Sequence, residues 1–427
     1  VHFPIRVLLA ALAAAAPASA FAAPYNVIYR FTSPPNGVRP QGPLVTDSQG
    51  NLYGTTYTGS RKGFGAVYEL SPKTESGKRW REQVIFHFKN KGEGEYPESG
   101  LIFDGKGNLF GTTPAGSTKG AGLVYELTPP ASGSGAWTQT VLHVFGSGKD
   151  GATPYGGLVF GPDGSLYGTT GYGGKTGSGT VFQLTPDPQA PTGWTETVIY
   201  NFGNGSDGGY PYSTLAVDKS GALYGTTLNG GNTGNGVVFS LTPPGSGKAW
   251  TEAVLHSFDS PDDGQMPREG VTIDPSGNLF GTTEVGGAND WGVAYEVSPP
   301  AGGSAYEVSP PAGGSGTWTE QVIYTFDADN GGGGPTYSTL LRAASGTLYG
   351  TSSHPGEGTE NGTVFSLVPP ADGGTTWTHN ELHVFDGGND GLTPEAGLIF
   401  SNDGKLTGTT FFGGGNAQEG VVFQLKR

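Results

Sequence analysis

Two side chains have the types needed for acid–base or metal-assisted chemistry and occupy similar places in a repeating frame: Glu284, directly after Gly281-Thr282-Thr283, and His354, shortly after Gly350-Thr351-Ser352. A carboxylate and an imidazole brought together can pass a proton or share a metal ion. The other histidines read differently. His143, His256 and His383 share one position of the repeat, filled by Tyr29, Phe86, Tyr200 and Tyr324 in other copies. A place that accepts Tyr, Phe or His is one for packing or hydrogen bonding. His87 and His379 fall nearby and are expected to be exposed, and no two histidines have the H-E-x-x-H spacing of a zinc site. Clustered acids at Asp259, Asp262 and Asp263, or at Asp327 and Asp329, could offer oxygen ligands to calcium, but their spacing misses the D-x-[DN]-x-[DN]-G loop. With no cysteine there is no thiolate metal site or cysteine nucleophile. The expectation is therefore no assigned catalytic or metal residue and no cofactor, with calcium as the alternative.

A second kind of chemistry is recognition. Tyr57, Tyr172, Trp291, Phe411 and Phe412 offer flat apolar faces, and Asn229, Glu284 and His354 offer hydrogen-bonding groups. All except Trp291 fall just after a recurring aromatic-Gly-Thr-Thr segment, where the copies diverge most. Variation inside a constant frame is where a rigid repeat scaffold would place specificity.

That frame is the strongest signal in the chain. The glycines of the segment are Gly54, Gly111, Gly168, Gly225, Gly281, Gly350 and Gly408, spaced by 57, 57, 57, 56, 69 and 58 residues. Ser352 replaces the second threonine in the sixth copy and Thr407 replaces the aromatic in the seventh. Such a period marks a supersecondary unit that cannot bury its apolar face alone. In the third copy the unit reads as Leu158 to Phe160, Ser165 to Thr170, Gly179 to Leu184 and Trp194 to Phe202, four apolar-rich strands separated by glycine- and proline-rich turns. Four antiparallel strands with short connections make a propeller blade. The first turn is D-x-x-G in four copies, at Asp47, Asp104, Asp218 and Asp274, where the carboxylate is expected to bind turn amides. A further motif, G-x-x-P, precedes most blades and reads as a rigid turn. Trp80, Trp137, Trp194, Trp250, Trp318 and Trp377 recur once per repeat and are expected to cover blade edges.

The ends of the chain complete each other. Tyr25 to Phe31 matches the fourth strand of later copies, whereas the last copy stops after its third strand, Gly420 to Leu425. The N-terminal segment should supply the missing outer strand, closing a ring of seven blades over residues 23–427. The long interval of 69 residues arises because Ala294 to Ser304 is repeated identically as Ala305 to Ser315. The first copy is expected in the ladder, because Gly292-Val293-Ala294 keeps the Gly-apolar entry of the other third strands.

These motifs, G-x-L-Y-G-T-T, G-x-V-F-x-L and W-T-E-x-V-I-Y-x-F, resemble those of the exported bacterial proteins built from GloVer-type tandem repeats, named for Gloeobacter and Verrucomicrobia. The resemblance covers residues 25 to 427 and implies a secreted repeat protein, without implying an activity. Because the chain stops just after a strand, at Lys426-Arg427, the anchoring segment of many members is not carried over. The stretch Asp274 to Phe280 is also similar to a turn of lactonase-like and streptogramin-lyase-like propellers, some of which use metal-assisted chemistry.

Residues 1–22, with Arg6 ahead of an apolar run and small residues at Ala18-Ser19-Ala20, read as a secretion signal. Without it, 21 basic residues face 37 acidic ones, a net charge of −16. Such a surface disfavours nucleic acid and anionic lipid. The reading is an all-β, seven-bladed, monomeric propeller, secreted or periplasmic, without nucleic-acid partner or membrane insertion. Its function is binding of carbohydrate or peptide on the variable-loop face. The alternative is a lactonase-like or lyase-like enzyme using Glu284 and His354.

Overall fold

The computed structural model describes residues 24–427 except 33, 73–79, 132, 134, 147, 246–248, 301–316, 328–333, 336–337, 354–360 and 372. The proposed signal segment, His354 and the second copy of the duplicated segment thus lie outside the described residues. The chain forms seven four-stranded antiparallel sheets, the blades of a β-propeller. Blade three is representative, with strands Val159–Phe160, Leu166–Thr170, Thr180–Pro186 and Trp194–Asn201. Among the described residues the one helical element is the single 3-10 turn Pro261–Asp263, and no helix is long and apolar enough to cross a membrane.

The ring closes as expected. Tyr25–Arg30 lies antiparallel to Val421–Leu425, with Tyr25 opposite Leu425 and Arg30 opposite Val421. Phe31 continues the ladder by donating its amide to the Gly420 carbonyl at 3.1 Å, and its side chain is fully buried. In blade five the third strand is Val293–Ser298, so the first copy of the duplicated segment occupies the ladder, paired with Leu279–Thr282 and Thr319–Thr325.

The recurrent Gly-Thr-Thr has a packing explanation at each position. A Cβ on any of the seven glycines would fall under 3 Å from a neighbouring side chain, in each case including the third-strand aromatic ring of the same blade. At Gly168 the nearest atom is Phe182 Cζ, at 2.6 Å. The first threonine reaches into the next blade: Thr112 donates to the Gly156 carbonyl at 3.1 Å, Thr169 to Ser213 at 2.9 Å and Thr226 to Glu269 at 2.8 Å. These bonds tie neighbouring blades together beside the axis. Replacing Gly168 with Ala drives a methyl into Phe182, and overpacking of this kind typically costs ~1–3 kcal/mol. The expected result is a lower denaturation midpoint with an unchanged m-value in urea. An unaltered midpoint would contradict this account of the motif.

The D-x-x-G turns also behave as read. Asp104 Oδ1 accepts from the amides of Lys106 at 2.8 Å and Asn108 at 2.9 Å, and Asp47, Asp218 and Asp274 repeat the pattern. Gly107 closes its turn with φ of 88°, a region glycine enters at no steric cost. The tryptophans do more than cover edges. Trp137, Trp194, Trp250 and Trp377 contact the second-strand aromatics of the preceding blade, Tyr53, Phe110, Tyr167 and Phe280, at centroid distances of 5.7–6.1 Å. They staple the seams between blades.

Two sequence expectations are corrected. His87 and His379 are half-buried rather than exposed. His379 stacks on Tyr324 of the preceding blade, with centroids 4.5 Å apart, and burial pushes its pKa down to about 4. His87 ends its outer strand opposite Ala66, and desolvation lowers its pKa, with Arg61 and Lys89 adding to the shift.

Candidate functional site

One face of the ring is built by two kinds of loop that hydrogen-bond to each other. The second threonine of the motif organises them in blades two, three, four, five and seven. Thr170 donates to the Tyr172 carbonyl at 2.9 Å, Thr227 to Asn229 at 2.8 Å and Thr410 to Phe412 at 2.8 Å. The loop so shaped then pairs with the connection entering its own blade, through Ala152 with Tyr172, Gly209 with Asn229, and Leu392 with Phe412. Gly151 (φ 95°) packs directly on Thr170, where a Cβ would clash at 2.4 Å. The acid before that glycine anchors the connection: Asp150 accepts from the Gly146 amide at 3.0 Å and lies 3.4 Å from His143 Nε2. Asp207 meets Tyr200 at 3.1 Å, Asp263 meets His256 at 3.4 Å and Asp390 meets His383 at 3.0 Å. The shared His/Tyr position is thus a hydrogen-bonding place, as its residue types suggested. Asp259 accepts from Asn232 and Ser257, and Asp263 from the amides of Asp259 and Ser260, so these two acids serve the loop's own bonding. Asp329 lies outside the described residues.

A cavity lined by residues of all seven blades lies on the propeller axis at this face. Its distinctive side chains come from one register position, the residue after the proline of G-x-x-P, or the one beyond it: Gln41, Glu98, Tyr155, Tyr212, Arg268 with Glu269, and Glu395. The corresponding Tyr337 lies outside the described residues. The cavity offers about 80 Å³ to water-sized molecules, room for several waters or one small head group rather than a whole sugar ring.

Its electrostatics are unbalanced. Desolvation raises Glu98, Glu269 and Glu395 to about 7; Arg268 works against the rise at all three, and the charge of Glu98 adds to it at Glu395. Arg268 lies over the Tyr212 ring at 5.4 Å and 4.0 Å from Glu284. Glu269 accepts one long hydrogen bond, from Thr339 at 3.4 Å, and Gln41 donates to Glu395 at 3.4 Å.

The residues singled out by sequence are distributed around this opening in two groups. Tyr57 packs against Tyr96 and Phe411 at centroid distances of 5.1 and 6.1 Å, and Phe411 and Phe412 both lie beneath Arg39. Across the ring, Tyr212 donates to the Tyr172 hydroxyl at 2.8 Å and stands 4.9 Å from Tyr155. Tyr172 is 43% exposed. Glu284 joins this second group through Arg268, and Asn229 is placed by its backbone pairing with Gly209. Trp291 instead packs, partly buried, against the core cluster shared by blades five and six. The pairing of Glu284 with His354 falls outside the described residues.

Sequence reasoning passed over Gln41, Glu98, Glu269, Arg268 and Glu395. The signal was present: a position varying as Gln, Glu, Tyr, Tyr, Arg, Tyr and Glu inside a strict motif meets the criterion used for the neighbouring loops. Reading G-x-x-P only as a turn hid it.

A more open cavity, about 530 Å³, lies at the opposite end beside Asp218, Thr272, Asp274, Leu341 and Arg342. Its acids are committed to turns and to each other's partners: Asp218 accepts from Ala222 and Tyr224, and Asp274 from Asn278 with Arg342 3.9 Å away. The variable face is therefore the one with polar groups to spare.

Fold and opening together define a seven-bladed propeller with a polar axial pocket rimmed by aromatic rings. The chain belongs to the Gloeobacter/Verrucomicrobia repeat family, whose sequence profile matches residues 19–215, 132–309 and 217–427. No curated protein matches it. Among solved structures, a fungal alcohol oxidase of the AA5 family in complex with copper is 14% identical, covers 95% of this chain and 76% of its own, and gives a TM-score of 0.53, a likeness of fold alone. A protein proposed to be a glucose dehydrogenase from Thermus thermophilus is 16% identical over 95% of this chain and 100% of its own, with a TM-score of 0.44. A protein proposed to be a 6-phosphogluconolactonase from Bacteroides uniformis is 16% identical over 81% and 85%, with a TM-score of 0.47.

Proposed function

We propose that this propeller is an exported binding module whose ligand, a carbohydrate or a peptide, docks over the axial opening on the variable-loop face. The observation that carries this reading is the convergence of Tyr57, Tyr155, Tyr172, Tyr212 and Phe411 around a pocket lined by all seven blades. Aromatic faces held by neighbouring rings are pre-organised, so stacking a sugar ring or an apolar side chain on them costs little ordering entropy. A good ring contact contributes about 0.5–1.5 kcal/mol beyond its buried area. The catalytic alternative is weaker on this geometry because the Glu284 carboxylate faces Arg268, an arrangement that orients the acid without supplying a base.

The test is a glycan and peptide array on the purified protein, followed by calorimetry with any hit. Replacing both Tyr172 and Phe411 with Ala should reduce affinity at least tenfold while leaving the melting temperature nearly unchanged, because neither ring is part of the buried core. Full affinity in the double variant, or a hit mapped to the Asp218 and Arg342 end, would overturn the reading.

A further inference from the structure

We infer that the axial pocket receives the protonated primary amine of the ligand, held by Glu98, Glu269 and Glu395 with the rings of Tyr155 and Tyr212 against the adjoining carbons. This deepens the binding reading above and rests on it. Four observations converge. The pocket gathers three carboxyl groups on the axis, with Arg268 as the cation among them, and that guanidinium already faces Glu284 and the Tyr212 ring. Gln41 Oε1, which lines the same pocket, is buried and accepts no hydrogen bond. An ammonium brings three donors and a positive charge, which is what this set lacks. The available space, about 80 Å³, suits a head group of a few heavy atoms.

Competing ligands fit less well. An anion would meet three carboxyls, and Arg268 alone does not offset them. Among the described residues no group of three or more acids or histidines is arranged to hold a metal ion, because the carboxyls come from separate blades around a ring. An ammonium can bridge such a spread, because its three N–H donors stand farther from their acceptors than a metal ion from its ligands, and tyrosine faces attract it further.

The chemistry also sets a proton balance. Arg268 acts on all three glutamates, Glu98 acts on Glu395, and Tyr57 and Tyr155 face Glu98. Burial holds these glutamates partly protonated near neutral pH. An arriving ammonium favours their ionised form, so binding should release protons and tighten as the pH rises from 6 to 7, a range in which an amine of pKa about 7.7–8 stays mostly protonated.

The experiment is calorimetric titration of the intact protein with glucosamine, N-acetylglucosamine and lysine amide, in buffers of different ionisation enthalpy at pH 6 and pH 7, where the amines are mostly protonated. Glucosamine or lysine amide should bind at least tenfold more tightly than N-acetylglucosamine, with proton release. Which of the two binds better identifies the source of the amine. Glu98→Gln and Glu395→Gln should each weaken the amine about tenfold, as expected for losing a charged hydrogen bond. Gln resembles the protonated acid, so both variants are expected to fold, and proton release by the unaltered protein provides a readout independent of them. Equal binding of N-acetylglucosamine, or amine binding without proton release, would overturn the inference yet leave the carbohydrate reading standing. Amine binding that survives both substitutions would also overturn it. Loss of binding only in the Tyr172 and Phe411 double variant would place the ligand on the rim instead.

Discussion

Deleting residues 23–32 is expected to convert the closed ring into aggregating or domain-swapped species and to lower the melting temperature by more than about 10 °C. The segment contributes five paired residues to the last blade, from Tyr25 with Leu425 to Arg30 with Val421. It also contributes Phe31, which is fully buried, and Tyr25, which stacks on His383 with centroids 3.7 Å apart. Burying one such ring is worth about 1.5–3 kcal/mol, and losing a strand removes several side chains together. That is a large fraction of the roughly 5–15 kcal/mol by which a typical domain is stable. The deletion would also leave Val421 to Leu425 as an unpaired apolar edge, a template for pairing with another chain. Size-exclusion chromatography and thermal melts test this directly. A synthetic peptide of residues 23–32 should restore a monomer when added in trans. A truncated protein that elutes as a monomer and melts within 2 °C of the intact one would show that the strand does not close the ring.

Stability should fall as pH rises from 5 to 8, a direction opposite to acid denaturation. Two sets of glutamates have pKa values raised to about 7 by desolvation: Glu98, Glu269 and Glu395 at the axis, and Glu82, Glu196, Glu252 and Glu320 at the seams between outer strands. A raised carboxyl pKa means that the folded state holds more protons than the unfolded chain between the ordinary value near 4.5 and about 7. Its contribution is therefore fully present below 4.5 and is lost as the pH climbs through 7. Four histidines oppose this. His87, His143, His256 and His379 are lowered, mainly by burial, so they favour the folded state as pH rises toward 6.5. Above 6.5 they are neutral in both states and the glutamates act alone. Each excess proton held by the folded state shifts stability by about 1.4 kcal/mol per pH unit, so a melting temperature at least about 3 °C higher at pH 5 than at pH 8 is expected. Glu252→Gln should flatten part of the slope. A melting temperature that rises steadily from pH 5 to 8 would contradict the desolvated state of these carboxyls.

The architecture was legible because it is written in one dimension. The period of Gly54 through Gly408 counts blades, and the likeness of Tyr25 to Phe31 to later fourth strands locates the closure. Asp104 with Gly107 names its own turn, since both partners lie within four residues. Even the choice between the duplicated segments followed from a local feature, the Gly292 entry. What sequence did not disclose is radius. Whether Tyr155 or Trp291 faces the axis depends on how far each loop leans inward, and that is decided by threonine hydroxyls and by glycine contacts such as Gly151 on Thr170. The axial acids were hidden for the same reason, as Glu98 and Glu395 are 297 residues apart in sequence and meet only because the ring closes. A partial clue existed in the pairs His143 with Asp150, Tyr200 with Asp207, His256 with Asp263 and His383 with Asp390. Their constant offset of seven residues reflects one contact made four times, a hydrogen bond at Tyr200 and His383 and an approach to 3.4 Å at His143 and His256.

The closure also dictates an order of events in time. The strand that pairs with Leu425 begins at Tyr25, so the first structured segment to be synthesised is the last to find its partner. At roughly 5–20 residues per second, about 400 residues take on the order of 20–80 s to follow it. During that interval Tyr25–Arg30 lacks its strand partner, with only Ile28 and Tyr29 able to pack on blade one, while each completed blade can already dock on the one before it. The slow step is then the final encounter of the two ends, an encounter of extreme sequence separation. A helper that shields one short strand during this wait would speed maturation more than one acting on any internal blade.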